Sequence, residues 1–172
     1  MFSQTIEYAL RAATHLASLP AGSAVNSESI AQRTRVPKGY LSKILRDLVL
    51  AGIVDSQRGP NGGFTLAKIP AAISVLDVIN AVDPIKRIRA CPLGNPAHLT
   101  LCPLHHRIDA AIERMEQEFG ATSLAQIVET NVVSGTPCRT LIGCAAKNPI
   151  PANGRGNAPR SHPEGFEARD SA

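Results

Sequence analysis

The segment between residues 26 and 67 constrains the fold more than any other part of this 172-residue chain, because it contains signals for secondary structure in a defined order. Asn26 can accept hydrogen bonds from the free N–H groups of a first helical turn. Glu28 follows where the helix macrodipole favours an anion. These residues predict a short helix over residues 27–34, and the break at residues 35–36 ends it.

A second helix is predicted over residues 37–51. Pro37 suits its first turn, and Gly52 fits the left-handed residue that ends a helix. The apolar residues follow one another at spacings that place them on one face: Leu41, Ile44, Leu45, Leu48 and Val49. The other face carries polar, basic and aromatic residues: Lys38, Tyr40, Ser42, Lys43 and Arg46.

A β-hairpin is predicted directly after this helix. Residues 53–58 and 64–66 form its strands, and the GPNGG turn between them contains an Asn-Gly pair that allows positive φ. Two helices, a tight turn and a hairpin are the outline of a winged helix-turn-helix. In such a fold the polar helix face lies in the major groove of DNA, and Arg58 and Asn61 of the hairpin approach the minor groove or phosphates. The alternative is a small α+β domain whose basic face is only solvated.

Composition and charge indicate which partner, which type of core and which cellular location to expect for this fold. The net charge is +4, and residues 1–90 alone carry +5, which fits a polyanionic partner. Aromatic residues make up 3% of the chain, so the core is aliphatic. Glu7 and Arg11 interrupt the apolar N-terminus, and no stretch approaches the length of a membrane span. We expect a cytoplasmic protein with no membrane partner, whose four cysteines are reduced thiols or ligands.

The rest of the chain predicts further helices and a tail. A supporting first helix covers residues 3–18, a capping-box pattern starts a helix over residues 75–82, and a longer helix covers residues 104–119. A short helix capped at 122–123 ends at residue 128. The expected class is mostly α with a small β-hairpin wing. The expected parts are a winged helix-turn-helix over 1–83, a cysteine loop and dimerisation helix over 84–130, and a flexible tail over 131–172.

The long helix carries an apolar stripe at coiled-coil-like spacing. Apart from the first helix, the chain has no second long helix to cover this stripe. A two-fold partner is the economical solution, and the alternative is packing against residues 3–18 of the same chain. The predicted dimer contacts are Leu104, Ile108, Ile112 and Met115.

Four segments resemble the Rrf2 family of bacterial transcription regulators: SQTIEYALR at 3–11, YLSKIL at 40–45, RGPNGGF at 58–64 and CPLH at 102–105. The resemblance covers about residues 1–130. It implies a dimeric winged-helix repressor or activator, and we expect a repressor that binds a palindromic operator in double-stranded DNA. It also implies that the cysteine loop, in many members, holds an iron–sulfur cluster that senses redox, nitrosative or iron–sulfur status.

The cysteine loop departs from the family's three-cysteine pattern. Only Cys91 and Cys102 lie in it, and His98 stands near the place of the middle cysteine. The resemblance implies His105 as a further ligand, and the fourth would be Glu7 of a second subunit or His98. A 2Fe–2S cluster accepts such mixed ligation. The alternatives are a zinc site, a thiol switch between the two cysteines, or two small buried hydrophobes.

Two other function classes compete with the regulator. An enzyme would use Cys102 as nucleophile and His105 as base, but the sequence shows no orienting carboxylate, oxyanion donor set or cofactor fingerprint to complete such a site. We therefore expect no enzyme. A protein-interaction adaptor would keep the winged fold without binding DNA.

Overall fold

Helices make up most of the structure, a computed structural model that describes residues 2–59, 62–90 and 101–133. The class is mostly α with one two-stranded antiparallel hairpin, as predicted. No helix within these ranges combines the length and apolar character needed to cross a bilayer. The elements are α1 (Gln4–Ala17), α2 (Ser27–Thr34), α3 (Lys38–Leu50), β1 (Val54–Gln57), β2 (Gly63–Leu66), α4 (Val75–Val82), α5 (Pro103–Ala121) and α6 (Leu124–Val133).

Local signals fix the ends of the helices. Asn26 Oδ1 accepts from the Ser29 N–H at 2.8 Å and caps α2, whose last turn ends at Arg35 in the left-handed conformation. Gly52 has φ 66° at the end of α3, as expected. Pro37 precedes α3 instead of opening its first turn, because its ψ of 135° is extended.

The core forms where α1 packs against α2, α3, α4, α6 and β2. Four alanines of α1 are buried there, so the helix axes can approach closely: Ala9, Ala12, Ala13 and Ala17. Leu10, expected on the buried face, is only half-buried. His15 is 3% exposed and its Nδ1 has no hydrogen-bond partner. Burial, and then the charge of Arg33, lowers the pKa of His15, which favours the neutral ring.

A third extended segment, at Val25, pairs with the hairpin and connects it to the helices. This pairing was not predicted from the sequence. β1 and β2 pair from Val54 with Leu66 to Gln57 with Gly63. Val25 then bridges to Phe64 through two backbone hydrogen bonds of 3.0 and 2.8 Å. This bridge fixes the position of the wing relative to α2.

The C-terminal helices depart from the predicted ends. α5 begins one residue earlier and ends two residues later than expected, and α6 continues to Val133 instead of ending at residue 128. The Leu124 N–H donates to the Ile73 carbonyl at 2.9 Å, so α6 is tied to the segment before α4. The predicted tail beyond residue 133 lies outside the described residues.

Gly63→Ala should destabilise the protein. An added Cβ would lie 2.6 Å from the carbonyl carbon and oxygen of Val25, so the bridge to the hairpin must shift. Overpacking of this kind costs about 1–3 kcal/mol. Gly39→Ala on α3 is the matched control, since nothing lies within 4 Å of its added Cβ and alanine favours helix. Urea unfolding should separate the two, and equal stability would contradict the expected clash.

Candidate nucleic-acid interface and cysteine site

The face of α3 opposite the core is exposed along its length. All five residues predicted to meet DNA there are exposed: Lys38, Tyr40, Ser42, Lys43 and Arg46. The inner face is buried at Leu41, Ile44, Leu45 and Leu48, while Val49 is half-buried. The same helical periodicity that builds the core therefore presents a polar, basic surface outward.

Neighbouring carboxylates restrain two of the three cations on this face. Lys38 forms an ion pair with Glu28 of α2, a contact that sequence reasoning missed. The ammonium group of Lys38 donates to the carboxylate and holds the pKa of Glu28 below its usual range. Arg46 lies 3.6 Å from Asp47. Among the described residues no carboxylate pairs with Lys43, so its charge is the most available to a phosphate or a base.

The tip of the hairpin brings bare backbone to the surface. Gly59 has φ 117°, and a Cβ on Gly62 would lie 2.5 Å from the Gln57 carbonyl oxygen. Arg58 is exposed beside them. Asn61, the other hairpin residue predicted to meet DNA, lies outside the described residues.

The N-terminal half of α1 contacts the exposed face of α3 that carries Tyr40. The rings of Tyr8 and Tyr40 meet edge to face with centroids 6.0 Å apart. The guanidinium carbon of Arg11 lies 5.9 Å from the centroid of the Tyr8 ring, and Arg11 also forms an ion pair with Glu7. Glu7, predicted as a ligand, therefore already has a cationic partner within its own helix.

Cys102 and His105 meet at the start of α5. Cys102 is the residue before the helix, its side chain does not cap the helix, and its Sγ lies 3.3 Å from Nδ1 of His105. Thiolate and imidazole are ligands that a 2Fe–2S centre accepts together, so this pair fits part of such a site. In the part of the chain that is described, no three His, Cys, Asp or Glu side chains converge as a metal site. Cys91 lies outside that part.

A charge cluster that sequence reasoning missed attaches the segment after α4 to α5. The guanidinium of Arg87 donates twice to the carboxylate of Asp109, at 2.8 and 2.6 Å. It also lies 3.3 Å from Glu116 and 3.5 Å from Glu113. The backbone N–H of Ile88 donates to Asp109 at 2.8 Å. Acidic residues at i, i+4 and i+7 of a predicted helix, with an arginine upstream, were the available signal.

These contacts shift both pKa values of the central pair. The Asp109 hydrogen bonds raise the pKa of Arg87. The hydrogen bonds from Arg87 lower the pKa of Asp109 to about 2, and the Ile88 N–H acts in the same direction. Both partners are mostly covered, at 26% and 17% exposed. The cluster thus holds the segment after α4 against α5.

The apolar stripe of α5 is open within the single chain. None of the residues of α5 is buried there. Leu104 is 65% exposed and Ile108 is 41% exposed, while Ile112 and Met115 are half-buried. α5 packs against α4, and Phe119 near its C-terminal end packs against the cluster that contains Ile6 of α1.

A family model named Rrf2, an iron-dependent transcriptional regulator, matches residues 2–130. This chain belongs to the Rrf2 family. It is also 31% identical, over 137 residues, to an inferred HTH-type transcriptional regulator of Aquifex aeolicus (strain VF5), an alignment that covers 74% of this chain and 91% of that protein. The chain is therefore a winged-helix transcriptional regulator, the function expected from its sequence.

Solved structures share the fold of this Rrf2 protein. The global cysteine regulator CymR (YrzC) of B. subtilis superposes with a TM-score of 0.64 at 24% identity and covers 76% of this chain and 97% of its own. IscR of T. potens gives a TM-score of 0.64 at 24% identity, with coverage of 76% and 87%. At these identities the likeness shows the winged-helix architecture.

Arg87→Gln should destabilise the fold in a pH-dependent way. Because the folded pKa of Asp109, about 2, is below its ordinary 3.8, the ion pair stabilises the fold fully above pH 3.8 and less as the pH falls toward 2. Unfolding followed by circular dichroism should give the variant a lower free energy of unfolding than the wild type near neutral pH. The difference between the two free energies should become smaller as the pH falls. Arg114→Gln, on the exposed surface of α5, is the control. A gap that stays constant with pH would contradict this role.

Proposed function

We propose that this chain is a homodimeric, sequence-specific repressor that reads a palindromic operator with α3 and the hairpin and senses redox or iron–sulfur status at Cys102 and His105. The observation that carries the proposal is the exposed, polar face of α3 beside a hairpin whose tip is nearly free of bulky side chains. An α-helix fits the major groove, and a narrow glycine-rich hairpin fits the space over the adjacent minor groove.

Each predicted DNA contact within the described residues has a position that supports its role. Tyr40, Ser42, Lys43 and Arg46 lie on the outer side of α3 and suit contacts in the groove. Lys38 at the start of the helix suits a phosphate. Arg58 suits the minor groove, and Asn61 is proposed to join it from the hairpin turn.

Lys43→Ala and Arg58→Ala should each weaken operator binding, by about 1–3 kcal/mol where the side chain reads a base. Lys86→Ala is the matched control, because Lys86 is exposed in the segment after α4 and away from both elements. Fluorescence anisotropy with a duplex selected from random sequence by the full-length protein gives the affinities. If neither variant binds more weakly than the control, α3 and the hairpin do not form the interface.

The open stripe of α5 supports a dimer. Leu104, Ile108, Ile112 and Met115 are proposed to pack against the same residues of a second copy, which would cover apolar surface that one chain leaves exposed. A two-fold dimer would present its recognition helices to half-sites about one helical turn apart.

Ile108→Asp should therefore yield monomer, because it would bury an unpaired charge in the contact. Ile69→Asp makes the same change at an apolar side chain that is 69% exposed in the winged domain, and it should leave the dimer intact. Sedimentation velocity separates the species. An intact Ile108→Asp dimer would exclude the stripe as the interface.

The sensor is proposed to consist of Cys91, Cys102 and His105 of one subunit and Glu7 of the other. The contact between Cys102 Sγ and His105 Nδ1 supports this set, since it places two suitable donors at the start of the proposed dimer helix. When bound, a 2Fe–2S cluster would supply a one-electron redox change. The protein's part is mechanical: Cys102 adjoins α5, the Arg87 cluster joins α5 to the segment after α4, and α4 packs against α3. A shift at the start of α5 would then change the separation of the two recognition helices.

Anaerobically purified protein should contain iron and acid-labile sulfide, and Cys102→Ala and His105→Ala should lose most of both. Cys144→Ala, outside the proposed set, is the control. Colourless, iron-free protein whose regulation still depends on Cys91 and Cys102 would replace the cluster with a thiol switch. Regulation that is unchanged in both cysteine variants would remove the sensor from the proposal and leave the DNA-binding role.

A further inference from the structure

The chain has only two tyrosines, and their rings contact each other between α1 and α3. Tyr8 belongs to α1 and is half-buried against the core, whereas Tyr40 belongs to α3 and is 57% exposed. Their edge-to-face contact joins the surface of α1 to the face of α3 that is proposed to enter the groove. The recognition surface therefore does not end at the edge of α3.

Arg11 adds a positive charge to this junction. Its guanidinium lies 5.9 Å from the Tyr8 ring centroid, where the ring face attracts a cation. This contact and the ion pair with Glu7 hold the long side chain in one place beside Tyr8. A pre-positioned guanidinium can donate several hydrogen bonds to one anion, and the hydroxyl groups of Tyr8 and Tyr40, whose rings meet beside it, are further donors.

We propose that Tyr8, Arg11 and Tyr40 form a phosphate-binding shoulder that extends the DNA interface from α3 onto α1. The proposal rests on the proposed placement of α3 in the major groove, because phosphates line both edges of that groove. Arginine and tyrosine side chains are common donors to DNA phosphates, and such contacts set register without reading sequence. Continuity with the face of α3 favours the DNA backbone over any other anion.

Glu7 acts as a restraint on this shoulder. Its carboxylate competes with a phosphate for Arg11, and it places a negative charge near the approaching backbone. The pair is exposed, with Arg11 at 30% and Glu7 at 57%, and exposed pairs one helical turn apart are weak. A phosphate can therefore displace Glu7, and removal of the carboxylate should strengthen DNA binding.

The salt dependence of binding tests the shoulder directly. Arg11→Gln should weaken binding to the selected operator and to a scrambled duplex by the same factor, so the ratio of the two affinities stays constant. Affinity decreases with salt, so the plot of log affinity against log salt has a negative slope. The magnitude of this slope should decrease by about 0.9 for each phosphate that the variant no longer neutralises. Arg11→Lys should restore most of the slope. Arg114→Gln removes the same charge from α5 and should leave the slope unchanged, while thermal unfolding checks that each variant is folded.

A double-mutant cycle tests the restraint. In cluster-free protein, in which Glu7 has no cluster to bind, Glu7→Gln should raise affinity when Arg11 is present and have no effect in the Arg11→Gln background. Glu118→Gln, which removes a carboxylate from the exposed surface of α5, controls for net charge. If Glu7→Gln still raises the DNA affinity in the Arg11→Gln background, Glu7 does not act by restraining Arg11. Because Glu7 is exposed, Glu7→Gln leaves the core untouched, and its effect in the wild-type background can be measured even if Arg11→Gln proves unstable; an unchanged affinity there would overturn the restraint.

The outcomes separate the shoulder from the proposed function. If Lys43→Ala and Arg58→Ala weaken binding but Arg11→Gln leaves affinity and slope at the wild-type values, the shoulder is wrong and the interface of α3 and the hairpin stands. If no duplex binds any form of the protein, the proposed function fails and the shoulder fails with it. A lower slope combined with a changed affinity ratio would make Arg11 a base-reading residue and would also overturn the phosphate contact.

Discussion

Four alanines on α1, at positions 9, 12, 13 and 17, allow this helix to lie close to α2, α3, α4, α6 and β2 at once. Larger side chains there would separate the helices and create strain, because protein interiors are densely packed. The position of α3 therefore depends on the close packing of α1 against it. The opposite side of α1 carries Glu7 and Arg11, so the packing that holds the recognition helix also fixes the charges beside it.

The features that could be predicted from the sequence are local. Asn26, Gly52 and the pair Ser74 and Asp77 mark helix ends through hydrogen bonds that span one turn, and each forms as expected. The outer face of α3 follows from helical periodicity alone. The contact between Cys102 and His105 belongs to this group as well, since three residues at the start of a helix bring two side chains together.

The features that escaped prediction join distant parts of the chain. Val25 pairs with Phe64, Lys38 with Glu28, and Arg87 with Asp109. No periodicity shows which carboxylate a given cation meets once the helices have packed. The C-terminal end of α6 was also misjudged, since the helix continues to Val133. For the proposed sensor, the sequence identified a donor pair, whereas the rest of the proposed ligand set would depend on how two chains meet.

The contact between Tyr8 and Tyr40 has a spectroscopic consequence. The chain has no tryptophan and two tyrosines, so fluorescence excited at wavelengths that phenylalanine does not absorb arises from these two phenols. Most proteins report an average over many fluorophores, but here both phenols lie at the edge between α1 and α3. The native protein thus carries an intrinsic optical reporter confined to the surface where the operator is proposed to bind, and a change in its emission would register events at that surface without any label.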